Sequence, residues 1–197
     1  MSIQVRKTAL CVEEVHHDGG APLALPILKG WVGAVVHNPY AGRFVDDITT
    51  FLARTLYLSS DLAVPAAEKK EGIAAFAGNH ALCKITEDLI FTDPYRVAEQ
   101  NRWTQPWLDA TAARFRDDFD LHIAVSRLKL KFLNTPEALI HGDLHTGSIM
   151  VTEQATVVID PEFAFYGPMG FDIGAVIGNL LMAYLASAGH EQAPGDR

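Results

Sequence analysis

Two short polar stretches hold most of the residues whose types and spacing suit chemistry. His141-Gly142-Asp143-Leu144-His145-Thr146-Gly147-Ser148 lies between two apolar runs, and Asp160-Pro161-Glu162 directly follows a third. Carboxylates at strand ends, carried on loops over a small sheet, can hold a hard divalent cation against phosphate oxygens. In that reading Asp143 orients or deprotonates an attacking hydroxyl, while Asp160 and Glu162 hold Mg²⁺ on a nucleotide. Ser148, five residues after Asp143, is a polar residue placed to help with metal or loop geometry.

Plainer readings stand beside this one. His141-x-Asp143-x-His145 puts alternate residues on one face of an extended chain, which suits a metal-dependent hydrolase, but zinc needs further ligands. His145 serves equally as a structural residue bonding the loop backbone, and Asp160-Pro161 alone marks a turn. His16-His17-Asp18 next to Gly19-Gly20 reads as a solvated turn. Glu68 to Glu71 reads as an exposed helical face. Trp103, Trp107 and Phe115 read as core, and Cys83 as a small buried hydrophobe.

The elements that must position these residues follow from periodicity. Ala138–Ile140, Ile149–Val151 and Thr156–Ile159 are short strands of a small sheet bracketing the polar loops. Asp172 is a plausible N-cap for an apolar, buried helix reaching Ala186. Trp107–Phe119 and Leu121–Leu133 are amphipathic helices, and Ala66–Ala77 is rich in helix formers and stops at Gly78-Asn79. The first third reads as a strand over Arg6–Glu14, a helix over Pro22–Val36 and a break at Asn38–Arg43, with helical character taking over from Leu52. The expected fold class is α+β, mostly helical.

Composition narrows the function classes. The chain has 197 residues, 49% hydrophobic and 20% charged, enough apolar material for a core. A net charge of −8 argues against a duplex nucleic acid or an anionic membrane as partner. The longest apolar run, residues 173–188, is interrupted by Asn179 and short for a membrane span. Cys11 and Cys83, far apart in the chain, read as reduced cytoplasmic thiols.

The strings Ile140–Met150 (IHGDLHTGSIM), Asp160–Gly167 (DPEFAFYG) and Gly78–Tyr95 (GNHALCKITEDLIFTDPY) resemble the S-methyl-5-thioribose kinase family of methionine salvage, within the protein-kinase-like and aminoglycoside-phosphotransferase superfamily. The resemblance covers about residues 52–197. It implies a partial C-terminal lobe of a protein-kinase-like fold that transfers phosphoryl from ATP, with Mg²⁺, to the 1-hydroxyl of methylthioribose. Asp143 would be the catalytic and sugar-contacting carboxylate. Asp160, Pro161 and Glu162 would form the nucleotide site, with Asp160, Glu162 and Ser148 at the metal. His141, His145 and Asp172 would support the loop, Asp172 from the start of the last helix.

Residues 1–51, including VEEVHHDGG and NPYAGRFVDD, are similar to the start of a bacterial "amino acid synthesis" family and form a short α/β segment. The two resemblances together imply a junction near Phe51. Such kinases carry a glycine-rich loop and a strand lysine over the phosphates. Here Gly19-Gly20 lacks the required spacing, and Lys29 is the only lysine between Lys7 and Lys69. The substrate-contacting arginines that the family carries further on have no counterpart either. Turnover is therefore expected to be impaired. The competing expectation is a non-catalytic fusion or assembly protein, in which an exposed apolar face favours a homo-oligomer.

Overall fold

The computed structural model describes residues 35–37, 44–151 and 155–187. The expected strand over Arg6–Glu14, the turn at His16–Gly20, Lys29 and the break at Asn38–Arg43 lie outside those residues.

The centre is a buried strand. β2 (Ala138–Ile140) is inaccessible along its whole length and pairs antiparallel with β5 (Phe165–Gly167), Leu139 opposite Tyr166. Its side chains alternate with the period of two that a strand imposes. Ala138 and Ile140 join Ile48, Phe51, Leu52 and Leu56 of α1 (Phe44–Leu58) in the main core, whereas Leu139 meets Ile73 and Phe76 of α2 (Ala66–Phe76) on the other side. Ser59 Oγ accepts from the backbone N–H of Leu139 at 2.9 Å, satisfying a donor that β5 does not reach. Gly72 is required for the approach of β5, because a Cβ there would collide with the Tyr166 ring.

A second sheet holds β1 (Val35–His37), β4 (Ala155–Val158) and β3 (Ile149–Val151), in the order β1-β4-β3, all antiparallel. Buried Asp47 of α1 fastens this sheet by accepting from Thr156 Oγ1 at 2.8 Å. The helical flank comprises α3 (His80–Phe91), α4 (Asp109–Asp117) and α5 (Phe119–Asn134). Asp118 caps α5 by accepting from Leu121 N at 2.9 Å, which ends α4 and turns the chain. Phe132 of α5 anchors the flank, its ring 4.9–5.2 Å from those of Phe91, Phe165 and Phe171. α6 (Gly170–Ser187) closes the described chain.

The α+β, mostly helical architecture expected from the sequence is present, as are the three short strands. Several local expectations are corrected. Val35–His37 is strand, not the end of a helix, because β4 offers it a pairing edge. Helix begins at Phe44 rather than Leu52, and residues 44–58 run as one helix through Phe51. The strands form two small antiparallel sheets, and α3, β1 and β5 were not expected. The final helix forms but is largely uncovered: Phe171, Val176 and Leu180 pack on the core, while Ile177, Leu181, Met182 and Leu185 are exposed, the last at 66%. Lys69 does not sit on a solvated face. It is 5% exposed and ion-paired with Asp61. Trp107 (82% exposed) and Phe115 lie at the surface, and Trp103 is half-buried, its Nε1 donating to Asp109 with the Arg116 guanidinium over its ring. Cys83 is half-buried, and burial raises its thiol pKa. Among the described residues no helix is long and apolar enough to cross a membrane.

Candidate phosphoryl-transfer site

The loop after β2 is built from the inside. His141 is wholly buried; its Nε2 lies 2.9 Å from the carbonyl of Ile159, and its Nδ1 accepts from Asp143 N at 3.3 Å. Those partners assign the proton to Nε2, since a carbonyl only accepts. Burial lowers the pKa of the ring, opposed by its bond to Ile159 and by the charges of Asp143 and Asp160, so it stays neutral. Asp172, in the first turn of α6, accepts from the backbone N–H of His141 at 2.6 Å and of Gly142 at 3.0 Å. Burial pushes its carboxyl up to about 6, against the pull of those two donors. It is still ionised at neutral pH and holds two buried N–H groups that would otherwise be orphaned.

Gly142 sits in the left-handed region at φ 81°, and a Cβ there would meet the carbonyl of Phe163, whose carbon lies 2.9 Å away. Only glycine fits. The chain then turns Asp143 outward, its side chain 49% exposed, with Oδ2 3.5 Å from His145 Nε2. His145 Nδ1 accepts from Gly147 N at 2.9 Å, which leaves the proton on the nitrogen facing Asp143. Ser148, buried, closes the loop by donating from Oγ to the carbonyl of Asp143 at 3.0 Å, and its own carbonyl accepts from Ile159 N at 2.9 Å.

The second carboxylate stretch is a single 3₁₀ turn over Pro161–Phe163, entered through Asp160 at φ 64°, ψ 50°. A non-glycine residue in this region carries strain that its surroundings must sustain. Asp160 and Glu162 are both exposed. The turn is gripped by Asn79, between α2 and α3, whose amide donates to the carbonyls of Glu162 (3.0 Å) and Ala164 (2.9 Å).

Asp143, Asp160 and Asp172 thus lie close to buried His141, with Glu162 two residues beyond Asp160. The site is a set of hard carboxylate oxygens facing solvent beside a neutral, fully engaged histidine. Mg²⁺ takes one or two carboxylates and completes its shell with water and phosphate oxygens, so this donor set fits it. Zinc does not fit: both nitrogens of His141 are occupied, and among the described residues no group of three or more His, Cys, Asp or Glu is placed to hold a metal. A cavity of about 520 Å³ opens elsewhere, between Asp93, Arg102, Trp103, Phe115 and Arg116, and none of these carboxylate residues lines it.

Sequence reasoning missed Asn79 and Gly142. Asn79 reads locally as a helix stop, and its reach across more than 80 residues leaves no periodic signal. Gly142 was legible in principle, as a lone glycine between two residues with fixed roles.

Comparison with known proteins gives the site a lineage. Residues 15–194 match the phosphotransferase enzyme family. The chain is 44% identical over 196 residues to methylthioribose kinase 1 of Oryza sativa subsp. japonica, covering 94% of this chain and 45% of that protein. It is 54% identical over 147 residues to the methylthioribose kinase of Escherichia coli O45:K1, covering 75% of this chain and 35% of that protein. For the methylthioribose kinase of Geobacillus sp. WCH70 the figures are 48% over 147 residues, 75% and 36%. The chain thus spans less than half the length of these relatives. With the match running through nearly all of its length, the chain belongs to the phosphotransferase enzyme family.

Proposed function

We propose that this chain carries the catalytic loop and nucleotide-metal turn of a cytoplasmic S-methyl-5-thioribose kinase. The observation that carries the reading is Asp143: an exposed carboxylate on a loop fixed by buried Asp172 and His141, next to the Asp160 turn. The names of the relatives supply the substrate.

Asp143 accepts a hydrogen bond from the 1-hydroxyl of the sugar and orients its oxygen toward the γ-phosphorus of ATP. As the new P–O bond forms, the bond from γ-phosphorus to the β,γ-bridging oxygen breaks and ADP leaves. The hydroxyl proton passes to Asp143 and then to solvent. Asp160 and Glu162 would hold Mg²⁺, which neutralises phosphate charge when bound. Pro161 fixes the turn between them, and Ser148, its proton committed to the loop, offers only lone pairs. His145 donates toward Asp143 and keeps its carboxylate turned to the substrate.

The 1–51 and 52–197 division is part of this reading and rests on sequence resemblance alone. The test is ATP- and Mg²⁺-dependent phosphorylation of methylthioribose by the purified chain, wild type against Asp143→Asn. Turnover that disappears in the variant supports the reading, and equal turnover in both overturns it. The exposed apolar face of α6 favours a second reading, a non-catalytic assembly protein. It requires a chain that self-associates in sedimentation and binds neither ATP nor a divalent cation.

A further inference from the structure

We propose that Asn79 is a positioning residue for the cation site, holding the 160–164 turn so that Asp160 and Glu162 present their carboxylates together. This rests on the metal assignment made above for those two residues.

The side chain has forgone its local role. Asn79 stands at the N-cap of α3, where an asparagine oxygen ordinarily accepts from the first turn, yet no side-chain cap bond forms. Its backbone is fixed instead, the N–H donating to Phe76 O at 3.1 Å and the carbonyl accepting from Cys83 N at 3.2 Å. That leaves the amide free to cross the fold to Glu162 O and Ala164 O. Both partners are carbonyls, so the NH₂ group must face them.

The middle carbonyl of the same turn belongs to Phe163 and abuts Gly142. Three consecutive carbonyls are thereby held between the catalytic loop on one side and Asn79 on the other. The turn needs that grip, because its entry residue Asp160 sits in the left-handed region. With the amide removed, two carbonyls lose their donors and the Asp160 backbone is released to relax. The separation and direction of the two carboxylates then cease to be fixed. Partners of this kind typically contribute tenfold to a hundredfold to metal affinity.

The experiment is Mn²⁺ binding followed by electron paramagnetic resonance on the full chain, without nucleotide. Four proteins are compared: wild type, Asn79→Ala, Asp160→Asn and Lys129→Met. Lys129 bonds Glu87 at 2.9 Å and Thr92 at 3.0 Å, tying α5 to α3 away from the turn, so its loss reports general destabilisation. The expected result is an affinity at least about tenfold weaker in Asn79→Ala, near abolition in Asp160→Asn and no change in Lys129→Met. Asn79→Ser, which keeps one donor, should fall between wild type and Asn79→Ala, and covers the case in which the alanine variant folds poorly. Wild-type affinity in Asn79→Ala, with Asp160→Asn weakened, overturns the role of Asn79 alone. Equal weakening in Lys129→Met also overturns it, since the effect is then one of stability. A wild type that binds no Mn²⁺, or an Asp160→Asn variant that binds normally, overturns the metal assignment and this inference with it.

Discussion

The loop at 141–148 follows a buried strand and the turn at 160–164 a half-buried one; each carries exposed carboxylate, yet they are secured in different ways. The first is held from within by groups that never see water: Asp172 below its backbone, the His141 ring across to Ile159, and Ser148 closing it. The second has little interior of its own and is gripped from outside, by the Asn79 amide and the face of Gly142. In the role proposed for it, Asp143 would meet one substrate atom and benefit from a rigid mount. In the role proposed for them, Asp160 and Glu162 would share a cation, and a mount assembled from separate parts of the chain would serve.

Substitutions can break that contrast, beginning with the largest effect. Asp143→Asn should reduce phosphoryl transfer by about a thousandfold, the usual scale for a lost general base, and leave the melting temperature unchanged because the side chain faces solvent. A fall in melting temperature would mean that Asp143 belongs to the scaffold. Gly142→Ala should cost about 3 kcal/mol in urea denaturation, combining left-handed strain with a collision against backbone. Gly147→Ala should cost about 1 kcal/mol, since its obstacle at 2.6 Å is the His145 ring, which can swing aside. Equal costs would show that the two glycines sit in equally rigid surroundings.

The buried mount also has a pH signature. Asp172 has a folded pKa of about 6 against an ordinary 3.8, so the folded state binds its proton more tightly than the unfolded state does. Its favourable contribution is complete below pH 3.8 and is lost as pH rises through 6. The stability of Asp172→Asn relative to wild type should therefore rise across that window by about 3 kcal/mol and then level off. His141, its pKa lowered by burial, works in the opposite sense, losing its contribution as pH falls, but it is common to both proteins and cancels in the difference. A flat difference would mean that Asp172 is ionised throughout. The smallest effect belongs to the outer surface: Leu181→Gln, on the exposed side of α6, should change stability by less than about 0.5 kcal/mol.

These two loops also mark how far the sequence could be read. The three strands that bracket them and the helix that begins near Asp172 announce themselves through short apolar runs and turn residues, which are local properties. Asp143 and Asp160 stand out as carboxylates in short polar stretches that open just after apolar runs. What stayed hidden was the mounting supplied from outside these stretches and α6. Asn79 and Asp47 act on partners 83 and 109 residues away, and no periodicity records such a pairing. Burial was misread where apolar content was taken for packing. α6 is the most apolar helix, yet it is largely uncovered among the described residues, while Lys69 is buried because Asp61 is there to receive it. Composition states what a helix can bury, and its neighbours decide what it does bury.

The pairing of β1 with β4 bears on when the site can exist during synthesis. Val35 lies opposite Val157, about 120 residues later, and β4 leads directly into the Asp160 turn. A ribosome adding about 5–20 residues per second needs on the order of 6–24 s to deliver the second strand after the first. Throughout that interval the edge of β1 that β4 will occupy waits for its strand. The nascent chain thus acquires its three-stranded sheet, the Asp160 turn and the commitment of its earliest described strand at nearly the same moment. A translational pause between those two points would lengthen the exposure of that edge to other chains, without altering a single contact in the finished protein.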